Sequence, residues 1–368
     1  MYNRCHLYKK HFFRYAFQMI SKIILAAILT LAFVIRFFGI EKSPPSLNWD
    51  EAALGYNAYS ILKTGRDEFG HFLPLSLRSF DDYKGAVYSY SAIPFIKLFG
   101  LNTVSVRLPS IISGVIITFL AYLYAIMFFK NHKVALISSF LVAVEPWSLH
   151  FSRAAFEANL ALAIFLTGLY FILQFKKYLI GFLFLVFSAL TYHSEKVLVF
   201  PVAIFSAIFS PETFSRLSST SIFSHYQISF ELVKAIIFRY CSYFSPVNLF
   251  VRGTPEPIQH IPNFGMFHPI EFFFLVCGVY QIIKGAKNYK MLIFLVLISP
   301  IPGILTWNWF YPARVLSLFF FLSLIIAYGM SKITNKITFI VVSIILISSI
   351  LNLFTSLYFY LPYQEKGN

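Results

Sequence analysis

Apolar residues in this chain run in long blocks, and polar residues fall between the blocks. The blocks cover residues 23–40, 108–129, 134–149, 155–175, 178–192, 196–210, 270–283, 291–306, 313–330 and 337–360. A helix needs roughly 20 residues to cross the hydrocarbon core, so each block is a candidate span and several are short. Backbone in lipid must satisfy its own hydrogen bonds, which helices do. The predicted fold class is all-α, a polytopic transmembrane helix bundle of about 9–11 spans.

Basic residues sit in the short loops between blocks: Lys130/Lys133, Lys176/Lys177, Lys284/Lys287/Lys290 and Lys332/Lys336. Such loops face the cytoplasm. The basic N-terminus (Arg4, Lys9, Lys10, Arg14, Lys22) joins them, and no small-residue cleavage site follows the first block, so the first span is read as uncleaved. The chain then divides into a cytoplasmic basic segment, 1–22, and a single transmembrane domain, 23–360. A large first extracytoplasmic loop covers 41–107, and a short tail, 361–368, carries no soluble domain.

Counting crossings from the two ends leaves one crossing unaccounted for between 210 and 268. Either 226–244 ("YQISFELVKAIIFRYCSYF") crosses or 196–210 is re-entrant. Glu231, Lys234 and Arg239 at helical spacing favour an interfacial amphipathic helix for 226–244.

Composition agrees with a membrane protein. Of 368 residues, 58% are hydrophobic and 12% charged, too few charges for a water-soluble surface. The net charge of +15 comes from basic residues scattered at block ends, not from a basic domain, which excludes nucleic acid as partner. Cys5, Cys241 and Cys277 are too few and too far apart for a disulfide framework or a metal site. No P-loop, dinucleotide fingerprint, nucleophile elbow or H-E-x-x-H is present.

The residues able to do chemistry gather on the extracytoplasmic side. Asp50 and Glu51 follow Trp49 just outside the first span, at the start of a short amphipathic helix lying on the membrane. Either Asp50 or Asn48 caps that helix, and a carboxylate so placed also stays ionised and able to act as a base. Asp81, Asp82 and Lys84 lie in "RSFDDYKGAVYSY", which reads either as a solvated turn before a helix or as a segment that sets Lys84 at the headgroup level. Arg107 opens the second block as an interfacial anchor. In "EPWSLHFSRAAFEAN", Trp147, His150, Arg153 and Glu157 recur at helix-like spacing, and a Glu157–Arg153 pair would offset the cost of an acid in an apolar run. "TYHSEK" carries His193, Glu195 and Lys196, and the loop "VRGTPEPIQHIPNFGMFHP" carries Arg252, Glu256, His260 and His268. Arg314, ending "WNWFYPAR", either holds a phosphate through both guanidinium arms or anchors its helix.

The ordered set "WDEAALGYNAYSILKTGRDEFGHFLPL", "DYKGAVYSY", "FGLNTVSVRLPS", "EPWSLHFSRAAFEANLAL", "TYHSEK", "YFSPVNLFVRG" with "HIPNFGM", and "ISPIPGILTWNWFYPARVLSL" resembles the GT-C membrane glycosyltransferases. The likeness is to bacterial members of the dolichyl-phosphate-mannose–protein mannosyltransferase and aminoarabinose transferase superfamily, glycosyltransferase families 39 and 83. It runs over roughly residues 20–330. The resemblance implies inverting transfer of one sugar from a polyprenyl-phosphate carrier to a protein or envelope glycolipid, on the outer face of the inner membrane. It casts Asp50 as the base, with Glu51 the adjacent acid. Lys84, Arg314 and Arg153 would hold the donor phosphate. Asp82, His193, Lys196, Arg252 and His260 would line the substrate groove. No cofactor or metal ligand set is assigned, and a divalent cation is left open.

Three departures from that family stand out. "DYKGA" lacks the prolines relatives carry after the lysine, residues 200–225 fall short of a hydrophobic hairpin, and the chain ends at Asn368 without a soluble domain. The rival reading is a non-catalytic protein, a lipid-linked-sugar flippase or a degenerate donor-binding subunit. Charge concentrated at one interface favours the enzyme.

Overall fold

A computed structural model describes residues 2–79, 82–198, 221–224 and 229–360. The expected block 196–210 falls almost wholly outside these residues, as do Asp81, most of 200–225 and the tail 361–368.

The elements are α1 (Tyr2–Phe37), α2 (Trp49–Thr64), a hairpin of β1 (Ser76–Ser79) and β2 (Asp82–Gly85), α3 (Val87–Phe99), α4 (Thr103–Phe129), α5 (His132–Val144), α6 (Pro146–Arg153), α7 (Glu157–Phe175), α8 (Tyr178–Thr191) and α9 (His193–Leu198). There follow α10 (Phe230–Ser242), α11 (Glu271–Lys284), α12 (Lys290–Ile298), α13 (Ile301–Ile304), α14 (Leu316–Met330) and α15 (Lys336–Thr355). The hairpin is the only sheet among the described residues.

Four helical stretches are long and apolar enough to cross a bilayer: Met19–Phe37, Thr103–Phe129, Glu157–Phe175 and Lys336–Tyr358. The expected block 134–149 is instead two helices, α5 and α6, bent by 53°. Pro146 at the first position of α6 ends the α5 ladder at Glu145. If that pair is one span the count is five. Tyr178–Thr191, Lys290–Ile304 and Leu316–Met330 are apolar but shorter than a comfortable crossing, so the expected 9–11 spans exceed what helix length alone supports among the described residues.

Helices pack closely where side chains are small. At the α7–α8 contact a Cβ on Gly168 would lie 2.8 Å from the Gly181 carbonyl oxygen. Buried arginines tie the bundle at one end. Arg36 donates to the carbonyls of Ala143 (3.0 Å) and Val142 (3.2 Å) and to Ser148 Oγ (2.8 Å), joining α1 to the α5–α6 bend. The segment 226–244 contributes the 13-residue α10, whose buried Arg239 lies over the rings of Trp307 and Trp309. The C-terminal end of α1, α2, the hairpin, and the N-terminal ends of α4 and α7 meet at one end of the bundle, and the site is built there.

Candidate functional site

The stretch "LNWDEAALGY" settles the cap locally. Asn48 is the N-cap of α2: its Oδ1 accepts from the Glu51 N–H (2.8 Å), and Glu51 Oε2 accepts back from the Asn48 N–H (3.2 Å). This is a capping box, which leaves Asp50 free of capping duty.

Adjacent in sequence, Asp50 and Glu51 face opposite ways. Glu51 is buried, and its oxygens accept from Arg107 Nε (2.8 Å), Arg107 Nη2 (2.9 Å) and the Ala155 N–H (2.7 Å). Arg107, also buried, donates in addition to the carbonyls of Ile40, Pro44 and Ser46. So Arg107 is an internal clasp, not the expected interfacial anchor. Glu51 is fully engaged in holding α2, α4 and the α6–α7 link together.

Asp50 turns outward. Its side chain is 50% exposed and forms an ion pair with Lys84, whose side chain is 5% exposed. The hairpin brings Lys84 there through two devices. Gly85 lets β2 lie directly on the end of α8, where a Cβ would strike the Leu190 and Thr191 carbonyl oxygens. His193 Nε2 lies 3.0 Å from the Tyr83 carbonyl oxygen, pinning the residue before Lys84 to α9. Accepting from the ring, the Tyr83 carbonyl favours the protonated imidazole, but burial outweighs it. Burial, then the charge of Lys196, pulls the His193 pKa down to about 4.

Glu157 is the residue the sequence reading misplaced. It opens α7 and interacts electrostatically with both Lys84 and Asp50. The expected pairing with Arg153 does not form, because Ala154 and Phe156 are extended and break the helix between them. Arg153 is buried and directed at α1. It reaches the carbonyls of Ile35 (2.8 Å), Phe38 (2.9 Å) and Ser43 (2.7 Å) and lies over the Tyr358 ring. Those partners place it away from the donor-phosphate role expected of it.

Arg314 is tied to the site through Tyr192 and His193, which both feel its charge. Its guanidinium donates to Asn308 Oδ1 (3.3 Å) and lies over the Tyr311 ring. Tyr192 feels the charges of Arg314 and Glu157 together, and His193 feels Arg314 and Lys196. Asp50, Lys84, Glu157, Tyr192, His193, Lys196 and Arg314 therefore form one constellation. Lys196 is buried, and burial draws its ammonium down to about 8.

The remaining expected groove residues lie elsewhere or lack a described side chain. Arg252 is exposed at the end of a single π-turn. His260 contacts its own loop at the Glu256 carbonyl (3.3 Å), and burial lowers its pKa. Asp82 is placed by its backbone alone, opposite Ser79 in the hairpin. Among the described residues no three His, Cys, Asp or Glu side chains converge as a metal-ligand set.

Chemically, the constellation offers one solvent-reachable carboxylate beside a buried ammonium, with a guanidinium whose charge reaches the neighbouring Tyr192 and His193. Such an arrangement suits removing a proton near a phosphate whose charge is being neutralised.

Comparison with known proteins agrees with the expected resemblance. The family model of dolichyl-phosphate-mannose-protein mannosyltransferases matches residues 26–239. The apo crystal structure of the oligosaccharyltransferase of Archaeoglobus fulgidus superposes with a TM-score of 0.51 at 14% identity. That match covers 94% of this chain and 56% of the other. A structure of the oligosaccharyltransferase AglB from the same organism, in complex with an inhibitory peptide and a dolichol-phosphate, gives a TM-score of 0.48 at 15% identity over the same shares. The chain thus spans just over half the length of these proteins. No curated protein sequence matches it.

Proposed function

Since the chain belongs to the dolichyl-phosphate-mannose-protein mannosyltransferase family, we propose that it is a membrane glycosyltransferase moving one sugar, with inversion, from a polyprenyl-phosphate carrier to a protein or cell-envelope glycolipid. The observation that carries this reading is the Asp50–Lys84 ion pair, half open to solvent at the end of the bundle. The short basic loops Lys130/Lys133 and Lys176/Lys177 close the opposite ends of α4 and α7. Positive-inside bias therefore supports a site on the extracytoplasmic face of the inner membrane.

In this mechanism the donor phosphate settles between Lys84 and Arg314 and draws the ammonium away from Asp50. The freed Asp50 carboxylate takes the proton of the acceptor hydroxyl as that oxygen attacks C1 opposite the phosphate. The C1–O bond to phosphate breaks, and its electron pair leaves with the polyprenyl phosphate, whose charge Lys84 and Arg314 hold. One base and no covalent intermediate give inversion. The Glu157 charge adds to the field around Lys84. Glu51 holds the helix that carries the base.

The test is a transfer assay in proteoliposomes with a panel of polyprenyl-phosphate sugars. The protein should transfer from at least one donor, and Asp50→Asn should lower turnover by about 10²–10⁴ with folding unchanged. Transfer by Asp50→Asn at the wild-type rate would remove Asp50 as base. No transfer from any donor, with lipid-linked sugar crossing the bilayer, would favour the flippase.

A further inference from the structure

The segment from the last turn of α2 into β1, "KTGRDEFGHFLPLSLR" (63–78), carries two acids and three cations. Its two acids are engaged locally. Asp67 is buried, with Oδ1 accepting from the Phe69 and His71 N–H groups (3.0 and 2.8 Å) and Oδ2 3.0 Å from His71 Nδ1. Glu68 Oε1 accepts from Asn57 Nδ2 (2.8 Å), and the Glu68 N–H donates back to Asn57 Oδ1 (3.1 Å). Its cations, Lys63, Arg66 and Arg78, are all exposed, as is Glu68, and Arg66 Nη1 donates to the Gly70 carbonyl (2.7 Å).

Among those cations stand large, exposed apolar side chains. Phe69 is 48% exposed, Phe72 67%, Leu73 50% and Leu75 51%. Arg78 lies over the Phe69 ring at 5.2 Å and Arg66 over the Phe72 ring at 5.9 Å, so each cation is held beside an apolar group. Isolated exposed apolar residues need no explanation, but four within seven positions, rimmed by cations, mark an interaction surface.

We propose that this segment is a membrane-surface patch that takes an anionic lipid headgroup region as its partner. The apolar side chains enter the headgroup–acyl boundary, and the arginines and Lys63 meet lipid phosphates. The chemistry matches on both counts. A basic apolar face binds the interface of an anionic bilayer through buried area plus charge, entering about 5–10 Å. Each Lys or Arg near such a surface adds about 1 kcal/mol and is screened by salt. The chain also carries the segment to the right level, because α2 before it and α3 after it pack at the end of the bundle where α1 and α4 leave the apolar zone. The sequence reading expected α2 itself to lie apolar face down on the membrane. In the structure Leu54, Ala58 and Ile61 of α2 turn inward while its Trp49, Tyr56 and Tyr59 stay exposed, and the segment that follows adds further exposed apolar side chains.

This inference is independent of the transfer reaction, and its test reads no activity. With Cys5, Cys241 and Cys277 replaced by serine, nitroxide labels are placed one at a time at 69, 72, 73 and 75 in the full chain. The protein is held in nanodiscs of zwitterionic lipid, with or without anionic lipid. Power saturation compares access to lipid-phase oxygen and to a water-phase nickel complex. The labels should sit in the lipid phase in anionic discs. They should shift toward water in Arg66→Gln/Arg78→Gln protein or at high salt. Labels that stay water-accessible in anionic discs would overturn the proposal. So would labels equally immersed with and without anionic lipid, since the cations would then contribute nothing. Protection appearing only when an acceptor polypeptide is added would assign the patch to that polypeptide instead.

Discussion

Glu51 grips Arg107 through both carboxylate oxygens, at 2.8 and 2.9 Å, with both side chains buried. Removing one partner of such a pair strands a charge in a dry interior, which costs about 3–5 kcal/mol. Glu51→Ala should therefore lose folded protein on extraction and unfold at markedly lower temperature, as Arg107→Ala should. Thermal unfolding in detergent, run as a double-mutant cycle, should show strong coupling between the two positions. Additive losses would mean that Glu51 does not work through Arg107.

Lys84 and Arg314 are expected to act on the donor. Each truncation to alanine should raise the donor KM about tenfold or more, equivalent to about 1.4 kcal/mol per decade. The acceptor KM should hardly move. Arg314→Lys should recover little, because an ammonium does not reproduce the planar two-armed donor set. Steady-state kinetics with donor and acceptor varied separately make the comparison. Equal effects on both substrates would argue that these residues merely shape the site.

The sequence showed the helical bundle plainly, because long apolar blocks have one physical solution in a membrane. It placed α7 and α8 within about two residues of where they lie. It missed the break at Glu145–Pro146, where a proline inside an apolar block reads as continuation until its bend is seen. At the site, the acidic pair was legible but its division of labour was not. Which acid turns inward depends on Arg107 and the Ala155 N–H, and which turns outward on Lys84, all remote in sequence. Arg153 and Glu157 misled for the same reason. Their four-residue spacing matches a helical pair, but extended residues between α6 and α7 send one to α1 and the other to Lys84.

Gly85 tests whether the hairpin positions Lys84. A methyl group there would meet the Leu190 and Thr191 carbonyl oxygens, so Gly85→Ala must push β2 off the end of α8. Overpacking of this kind costs about 1–3 kcal/mol, which the bundle should survive. Activity should fall much further than stability, since Lys84 moves with its strand. A variant that melts lower but keeps the wild-type donor KM would separate the glycine from the site.

His193 gives the site a pH signature. Its folded pKa, about 4, lies below the ordinary imidazole value of about 6.5. Burial is the main cause, and the nearby Lys196 and Arg314 charges act in the same direction. Above pH 6.5 the ring is neutral in folded and unfolded chains, so its stability contribution is fully present. Below that the unfolded chain binds the proton first, and the contribution is lost progressively until the folded ring titrates near pH 4. Wild-type protein should therefore lose thermal stability over pH 6.5 to 4. His193→Gln, which keeps a donor for the Tyr83 carbonyl, should start from similar stability at pH 7.5 and lose less over that window. Identical pH profiles for the two proteins would show that His193 is not held neutral against the hairpin.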